Sequence, residues 1–372
     1  MHSLHQLELL ASNLAQKSFG FEIDIDAWVG QHAPWCNESD KALMLAACDL
    51  IDNQELLDRG LSIAKILSTF TPDPNLLIAG LMYESFSKNR ISSLTIEQVL
   101  GFAVNNLVLG VQKMEIMLQP DLCKSYRDEA AAKKCGRLEL LLASNENIQI
   151  ILVKLAIQLY TMRTSVNVDE STKLYLAHQT QALYAPLTKR LNIGQVTWQL
   201  EDLSFKFLHL EMYKEIATLL DERRIEREKY IVKIKQQLEE CLNLYGIEGK
   251  VFGRAKHIYS IWEKMQRKMI DYNAIYDVHA LRIIVPNAMA CYTALRVVHT
   301  LWQHLPQELD DYISKPKNNG YASLHTTVIN PDGKILEVQI RTTQMHKEAE
   351  LGVAAHWRYK DGARDSCYYV NY

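Results

Sequence analysis

Arg254, Lys256, Ser260 and Lys264 are spaced so that guanidinium, ammonium and hydroxyl donors gather around one helix start. Residues 256–268 have helical periodicity: Ile258, Ile261, Trp262 and Met265 form an apolar stripe, and Lys256, Ser260, Lys264 and Arg267 another. Backbone amides and the helix dipole favour anions at such a start, so a triphosphate could be held there. An amphipathic helix with a solvated basic face is the plainer alternative. Further along stand two carboxylates, Asp277 and Glu337. A hard cation such as magnesium needs only one or two carboxylates besides phosphate oxygens and water, so this pair suffices if a sheet unites it; otherwise the two are unrelated strand-end acids. Between them, residues 315–320 form a loop offering ammonium and amide donors, among them Lys317, Asn319 and Gly320. Tyr321, Ser323 and His325 follow on one strand face, which aligns an aromatic platform, a hydroxyl and an imidazole. A purine could stack on Tyr321, or the ring could be half-buried packing.

The elements that must position these groups are legible in the same stretch. Residues 278–285 are rich in β-branched and aliphatic side chains and read as a strand bounded by Asp277 and Pro286. Residues 335–341 alternate, with Leu336, Val338 and Ile340 on a core face and Glu337, Gln339 and Arg341 on a face for chemistry. Pro331, Asp332 and Gly333 supply a tight turn that pairs this strand with 323–329 as a hairpin. By alternation Arg282 falls on the opposite face from Asp277 unless a bulge intervenes.

Taken in order, VFGRAKHIYSIWEKM, DVHALR, ELDDYISKPKNNGYASLHT and ILEVQIRT resemble the synthetase domain of the RelA/SpoT family, which makes the alarmone (p)ppGpp. The resemblance implies that Arg254, Lys256, Ser260 and Lys264 bind the ATP phosphates, with Arg282 nearby, and that Asp277 and Glu337 hold Mg2+. It implies a GDP/GTP site of Lys317, Asn319, Gly320, Tyr321, Ser323, His325, Gln339 and Arg341, with Tyr321 stacked on guanine. The implied reaction transfers the β,γ-pyrophosphate of ATP to the 3′-hydroxyl of GDP or GTP, with Arg254, Lys256, Asp277 and Glu337 as the catalytic group and Glu337 accepting the hydroxyl proton. Glu308, Leu309, Asp310 and Asp311 resemble the acidic motif of synthetase-only members. His279 stands where an arginine is common among them, which weakens any phosphate contact from that position. The helical tail 345–360 resembles the element that closes the domain. No GxxxxGK[ST] or GxGxxG string is present.

Nearly everything from Leu4 to about Tyr245 reads as helix, with apolar runs at 42–51, 63–70, 76–83 and 148–162. This half resembles the helical HD hydrolase domain of the family, whose metal site needs a histidine, an adjacent His-Asp pair and a distant aspartate. Matching the strings DRGLSIAKIL, AGLMYES and KLAIQLYTMR puts Arg59, Tyr83, Glu84 and Ile157 at those four positions, with Ser87 and Lys88 where two further acids belong. A cation, a phenol and an aliphatic cannot assemble that site, so a retained fold without (p)ppGpp hydrolysis is expected. Residues 184–208 resemble the bridge between the two family domains, with a helix break at Asn192 and Gly194. Residues 221–240 mix both charge signs as a solvated helix.

The fold class expected is α+β multidomain: an all-α HD-type domain over 1–195, a helical linker over 196–245 and an α/β nucleotidyltransferase-like synthetase domain with a mixed sheet over 246–362. The remaining 363–372, ending DSCYYVNY, reads as a truncation point. Composition agrees: 372 residues with 48% apolar content can fill two cores, and a net charge of −3 argues against direct DNA binding. Seven scattered cysteines without a CxxC spacing read as reduced thiols, and no signal peptide or long apolar run appears, which predicts a cytoplasmic protein without a membrane segment. The resemblance implies that the full-length protein meets the ribosome with uncharged tRNA through domains outside this sequence. A regulatory nucleotide-binding module with negligible turnover is the competing reading. Retention of Arg254, Lys256, Asp277, Tyr321 and Glu337 together favours catalysis over it.

Overall fold

The computed structural model describes residues 24–118, 145–222, 224–255, 257–269 and 279–352. They divide into two compact units, the second beginning at Ser165.

The first unit is helical: α1 (Ile25–His32), α2 (Glu38–Asp49), α3 (Gln54–Ser68), α4 (Pro74–Ser87), α5 (Ser93–Leu100), α6 (Phe102–Leu118) and α7 (Asn145–Thr164). Its helix starts follow capping chemistry. Asn37 and Asp40 form a reciprocal capping box on α2, and Asp73 with Pro74 opens α4. α4 is apolar around almost its whole circumference because it is the central helix, packed against α2, α3, α6 and α7. Gly60 and Gly80 allow α3 and α4 to touch: a Cβ at Gly60 would lie 2.4 Å from the Leu81 carbonyl oxygen. No strand occurs among the described residues of this unit.

The second unit begins with helices and ends in a sheet. α8 (Glu170–Gln179) passes through a π-helical turn at Thr180–Tyr184 into α9 (Ala185–Arg190). The expected break follows, with Asn192 in the left-handed region at φ 56°. α10 (Gly194–Leu208), α11 (Leu210–Glu222) and α12 (Arg224–Leu244) lead to β1 (Lys250–Ala255), α13 (Ile258–Lys268), β2 (His279–Val285) and α14 (Ala288–Leu301). Short strands β3 (Gln303–His304) and β4 (Asp310–Asp311) precede the hairpin of β5 (Leu324–Ile329) and β6 (Ile335–Thr342), and α15 (Thr343–Leu351) ends the described chain.

The sheet runs β1-β2-β6-β5-β3, with β4 also on β5; β2 and β6 are parallel and the other pairs antiparallel. One face, carrying Val251, Leu281, Ile283, Leu336, Val338, Ile340, Leu324 and Val328, packs on α12 and α14 to form the core. Each such side chain contributes roughly 1.5–3 kcal/mol on burial. That frees the other face for polar groups. The hairpin turn forms as expected, Asn330 N–H donating to the Lys334 carbonyl (3.0 Å) and Gly333 taking φ 72°. The sequence-based domain boundary at 195 is one of resemblance, and the compact division at Ser165 is one of packing. Among the described residues no helix is long and apolar enough to cross a membrane.

Candidate functional site

Strand register assembles the polar face row by row. Arg254, Ala280, Glu337 and Thr327 occupy one row across β1, β2, β6 and β5. Phe252, Arg282, Gln339, His325 and Asp310 occupy the next. The Gln339 amide donates to Glu337 Oε1 at 3.0 Å, which orients the carboxylate. Arg282 therefore shares its face with Glu337, one row away. Asp277 and Lys256 lie outside the described residues, and for Arg254 only the backbone position is described.

Arg341 is 1% exposed, and its Nη2 donates to Glu350 Oε1 (2.9 Å) and His346 Nδ1 (2.7 Å). Glu350 Oε1 also accepts from Arg282 Nη1 at 3.1 Å. Burial opposes ionisation of Glu350, but the two guanidiniums outweigh it and hold its carboxyl below the usual range. His346 is pushed down to about 4 by burial and then by Arg341, so it is neutral and accepts through Nδ1. His346 and Glu350 come from α15 and were not singled out from sequence; their i, i+4 spacing was the available signal.

The loop ahead of β5 builds an aromatic corner. Gly320, at φ 79°, closes a turn in which its N–H donates to the Lys317 carbonyl (2.8 Å) and Lys317 N–H donates to the Tyr321 carbonyl (3.1 Å). Tyr321 OH and His325 Nε2 are 2.8 Å apart, so the hydrogen bond locks the ring. Tyr312 meets both edge-on, and Lys317 Nζ lies 4.4 Å from the Tyr312 ring centroid and 5.5 Å from that of Tyr321. Tyr312 was missed from sequence because it precedes the Gly-containing loop; only its place between Asp311 and that loop hinted at it. Asn319 accepts from Tyr321 N–H (3.2 Å) and donates Nδ2 to the Lys189 carbonyl (2.9 Å). Ser323, expected in line with these groups, is fully buried and donates to the Leu324 and Ile340 carbonyls, both at 3.2 Å. Of the acidic ELDD string, Asp311 is committed locally, accepting from Tyr292 OH and from the Ile313 and Ser314 N–H groups.

The start of α13 differs from the sequence expectation of amides open to an anion. Asp202 of α10 already accepts from Tyr259 N–H at 2.8 Å, so a protein carboxylate takes the place a phosphate would have at that helix end. Trp198 stacks on His257 with ring centroids 4.0 Å apart, and Ile261, Trp262 and Met265 pack with Phe205 and Ile216. The apolar stripe is confirmed, and Ser260 and Lys264 stand half-buried on the remaining faces.

In the first unit Arg59, Tyr83, Glu84 and Ile157, the residues that the resemblance sets at the metal-ligand positions, stand on the neighbouring helices α3, α4 and α7. Tyr83 OH donates to Glu115 Oε2, and Lys154 Nζ donates to Glu115 Oε1 at 2.8 Å. Burial works against the Glu115 charge, but Lys154 and the two hydrogen bonds prevail and lower its carboxyl. Arg59 pairs with Glu55, Glu84 lies 3.7 Å from Lys88, and Ile157 is 4% exposed in the core. Tyr83, Glu115 and the internal Lys154 ammonium thus form one hydrogen-bonded group between these helices. Among the described residues no group of three or more His, Cys, Asp or Glu side chains could hold a metal.

Fold and site define a two-part α+β protein, an HD-type helical body followed by a mixed-sheet domain with a carboxylate–amide–guanidinium face. An HD domain family matches residues 42–194, and the family described as "Region found in RelA / SpoT proteins" matches residues 253–364. A GTP pyrophosphokinase of Escherichia coli (strain K12) is 42% identical over 313 residues, covering 84% of this chain and 42% of its own length. That of Haemophilus influenzae is 40% identical over 322 residues, covering 86% and 43%. The solved small alarmone synthetase 1 from Bacillus subtilis, bound to its product pppGpp, is 25% identical with a TM-score of 0.31, covering 40% of this chain and 84% of its own. The chain belongs to the RelA/SpoT family, and it spans less than half the length of these curated relatives.

Proposed function

We propose that this chain transfers the β,γ-pyrophosphate of ATP to the 3′-hydroxyl of GDP or GTP, forming (p)ppGpp and AMP. The observation that carries this reading is the polar sheet face, where Glu337, Gln339, Arg282 and His325 stand in adjacent rows beside the Tyr321 corner. The 3′-oxygen attacks the β-phosphorus, the bond from that phosphorus to the α,β-bridging oxygen breaks, and AMP leaves with that oxygen. Glu337, oriented by Gln339, accepts the hydroxyl proton. Arg254, Lys256, Ser260, Lys264 and Arg282 bind the ATP phosphates. Tyr321 stacks on guanine, while Lys317, Asn319 and His325 surround it. Arg341 and Ser323 support the site from within, because neither is exposed. The work is positioning and charge neutralisation, as in phosphoryl transfer generally.

Glu337 is a hard carboxylate donor on this face, and magnesium needs only one or two protein carboxylates besides phosphate oxygens and water. With Asp277 it would hold the ion, which supplies charge neutralisation on the transferring phosphates.

The test is a magnesium-containing assay with ATP and GDP or GTP, nucleotides resolved chromatographically. Product with stoichiometric AMP is expected, and Glu337→Gln should lower turnover by at least about a hundredfold. Near-normal, magnesium-dependent turnover in that variant would sink the role of Glu337.

We further infer that the HD-type unit does not hydrolyse (p)ppGpp. Arg59, Tyr83, Glu84 and Ile157 supply no imidazole, and the Lys154–Glu115 pair disfavours a divalent cation beside it. The free thiols Cys36, Cys48, Cys241 and Cys291 fit a cytosolic protein.

A further inference from the structure

We propose that Glu350 is a positioning residue of the transfer site, holding the Arg282 guanidinium on the face that carries Glu337. This rests on reading that face as the site of pyrophosphate transfer. One carboxylate oxygen of Glu350 serves two cations, Arg282 at 3.1 Å and Arg341 at 2.9 Å. Their environments differ. The Arg341 side chain is 2% exposed and is held a second time by His346, so it is fixed within the protein. The Arg282 side chain keeps an edge to solvent at 13% exposure and stands opposite Gln339, the residue that orients Glu337. Two guanidiniums this close repel unless an anion lies between them, and Glu350 is that anion. Without it, Arg282, the less enclosed of the two, would move away from Arg341 and so from the row beside Glu337. A shift of about an ångström in a group that meets a transferring phosphate is enough to lower turnover by orders of magnitude.

Steady-state kinetics of the full chain with ATP and GDP, alongside thermal melting, test this role. Glu350→Gln is expected to lower kcat at least about tenfold while KM for each nucleotide stays within about threefold. Glu350→Asp, which restores the charge, should recover part of kcat. His346→Gln, which keeps an acceptor for Arg341 and leaves Glu350 on Arg282, should stay near wild type. Wild-type kcat in folded Glu350→Gln, or a loss confined to KM, would overturn the role. If Glu350→Gln does not melt cooperatively, the comparison becomes Arg341→Met against Arg341→Met with Glu350→Gln, which removes the buried cation and its anion together. A double variant as active as Arg341→Met overturns the proposal, and a further loss of kcat supports it. A wild-type chain that forms no (p)ppGpp would instead overturn the transfer reading itself.

Discussion

At the scale of single residues, the environment separates side chains that the sequence presents as equals. Glu337, Gln339 and Arg341 alternate on one strand, yet Arg341 is enclosed while Glu337 remains half-buried. Proton linkage makes one consequence measurable. His346 has its pKa lowered from 6.5 to about 4 by burial and by Arg341, so the unfolded chain binds its proton more readily. The stability this represents is complete above about pH 6.5 and is lost as pH falls toward about 4. Melting temperature should therefore drop across that window, and His346→Gln should flatten the slope; an unchanged slope in the variant would assign it to other groups. Tyr321 gives a second prediction. Tyr321→Phe keeps the ring and loses the bond to His325, worth about 1 kcal/mol, so KM for GDP should rise by no more than about tenfold. Tyr321→Ala removes the platform and should raise it further. Equal effects of the two would show that stacking contributes nothing.

At the scale of elements, periodicity identified helices and strands well but not their partners. The stripe of Ile261, Trp262 and Met265 shows that α13 has a buried face, and only packing reveals that Phe205 and Ile216 receive it. The same docking brings Asp202 to the helix start, a contact between residues 57 apart in sequence. Asp202→Ala should destabilise the protein by about 1 kcal/mol, as loss of an N-cap does. Chemical denaturation would show it as a lowered midpoint with an unchanged slope. The Lys154–Glu115 pair behaves differently, because Lys154 is 5% exposed and Glu115 42%. Glu115→Leu leaves a buried ammonium unpaired and should cost about 3 kcal/mol, the low end for a buried pair given that exposure. Adding Lys154→Met should recover most of the loss. Additive losses in this double-mutant cycle would show that the pair is not coupled.

At the scale of the whole molecule, the two units are expected to contribute unequally to chemistry. The sheet-bearing unit carries the polar face, and the helical unit keeps its core, with Arg59, Tyr83, Glu84 and Ile157 where the resemblance would have metal ligands. Manganese with ppGpp should therefore give no release of pyrophosphate from the purified chain. Measurable manganese-dependent release would contradict the substitution argument outright.

The sequence by itself determined residue types at fixed spacing: the alternation of β6, the Gly-containing loop before Tyr321, the hairpin turn, and the Arg59, Tyr83, Glu84 and Ile157 that the resemblance sets at the metal-ligand positions. These are local, because periodicity and turn chemistry depend on near neighbours. Only the tertiary structure decided that Arg282 and Glu337 share a face, that Ser323 and Arg341 are enclosed, that Glu350 and His346 meet the arginines, that Tyr312 meets Tyr321, and that Asp202 reaches the start of α13. Those facts depend on strand register and helix docking, which join residues distant in the chain and are set by the packing of the core as a whole.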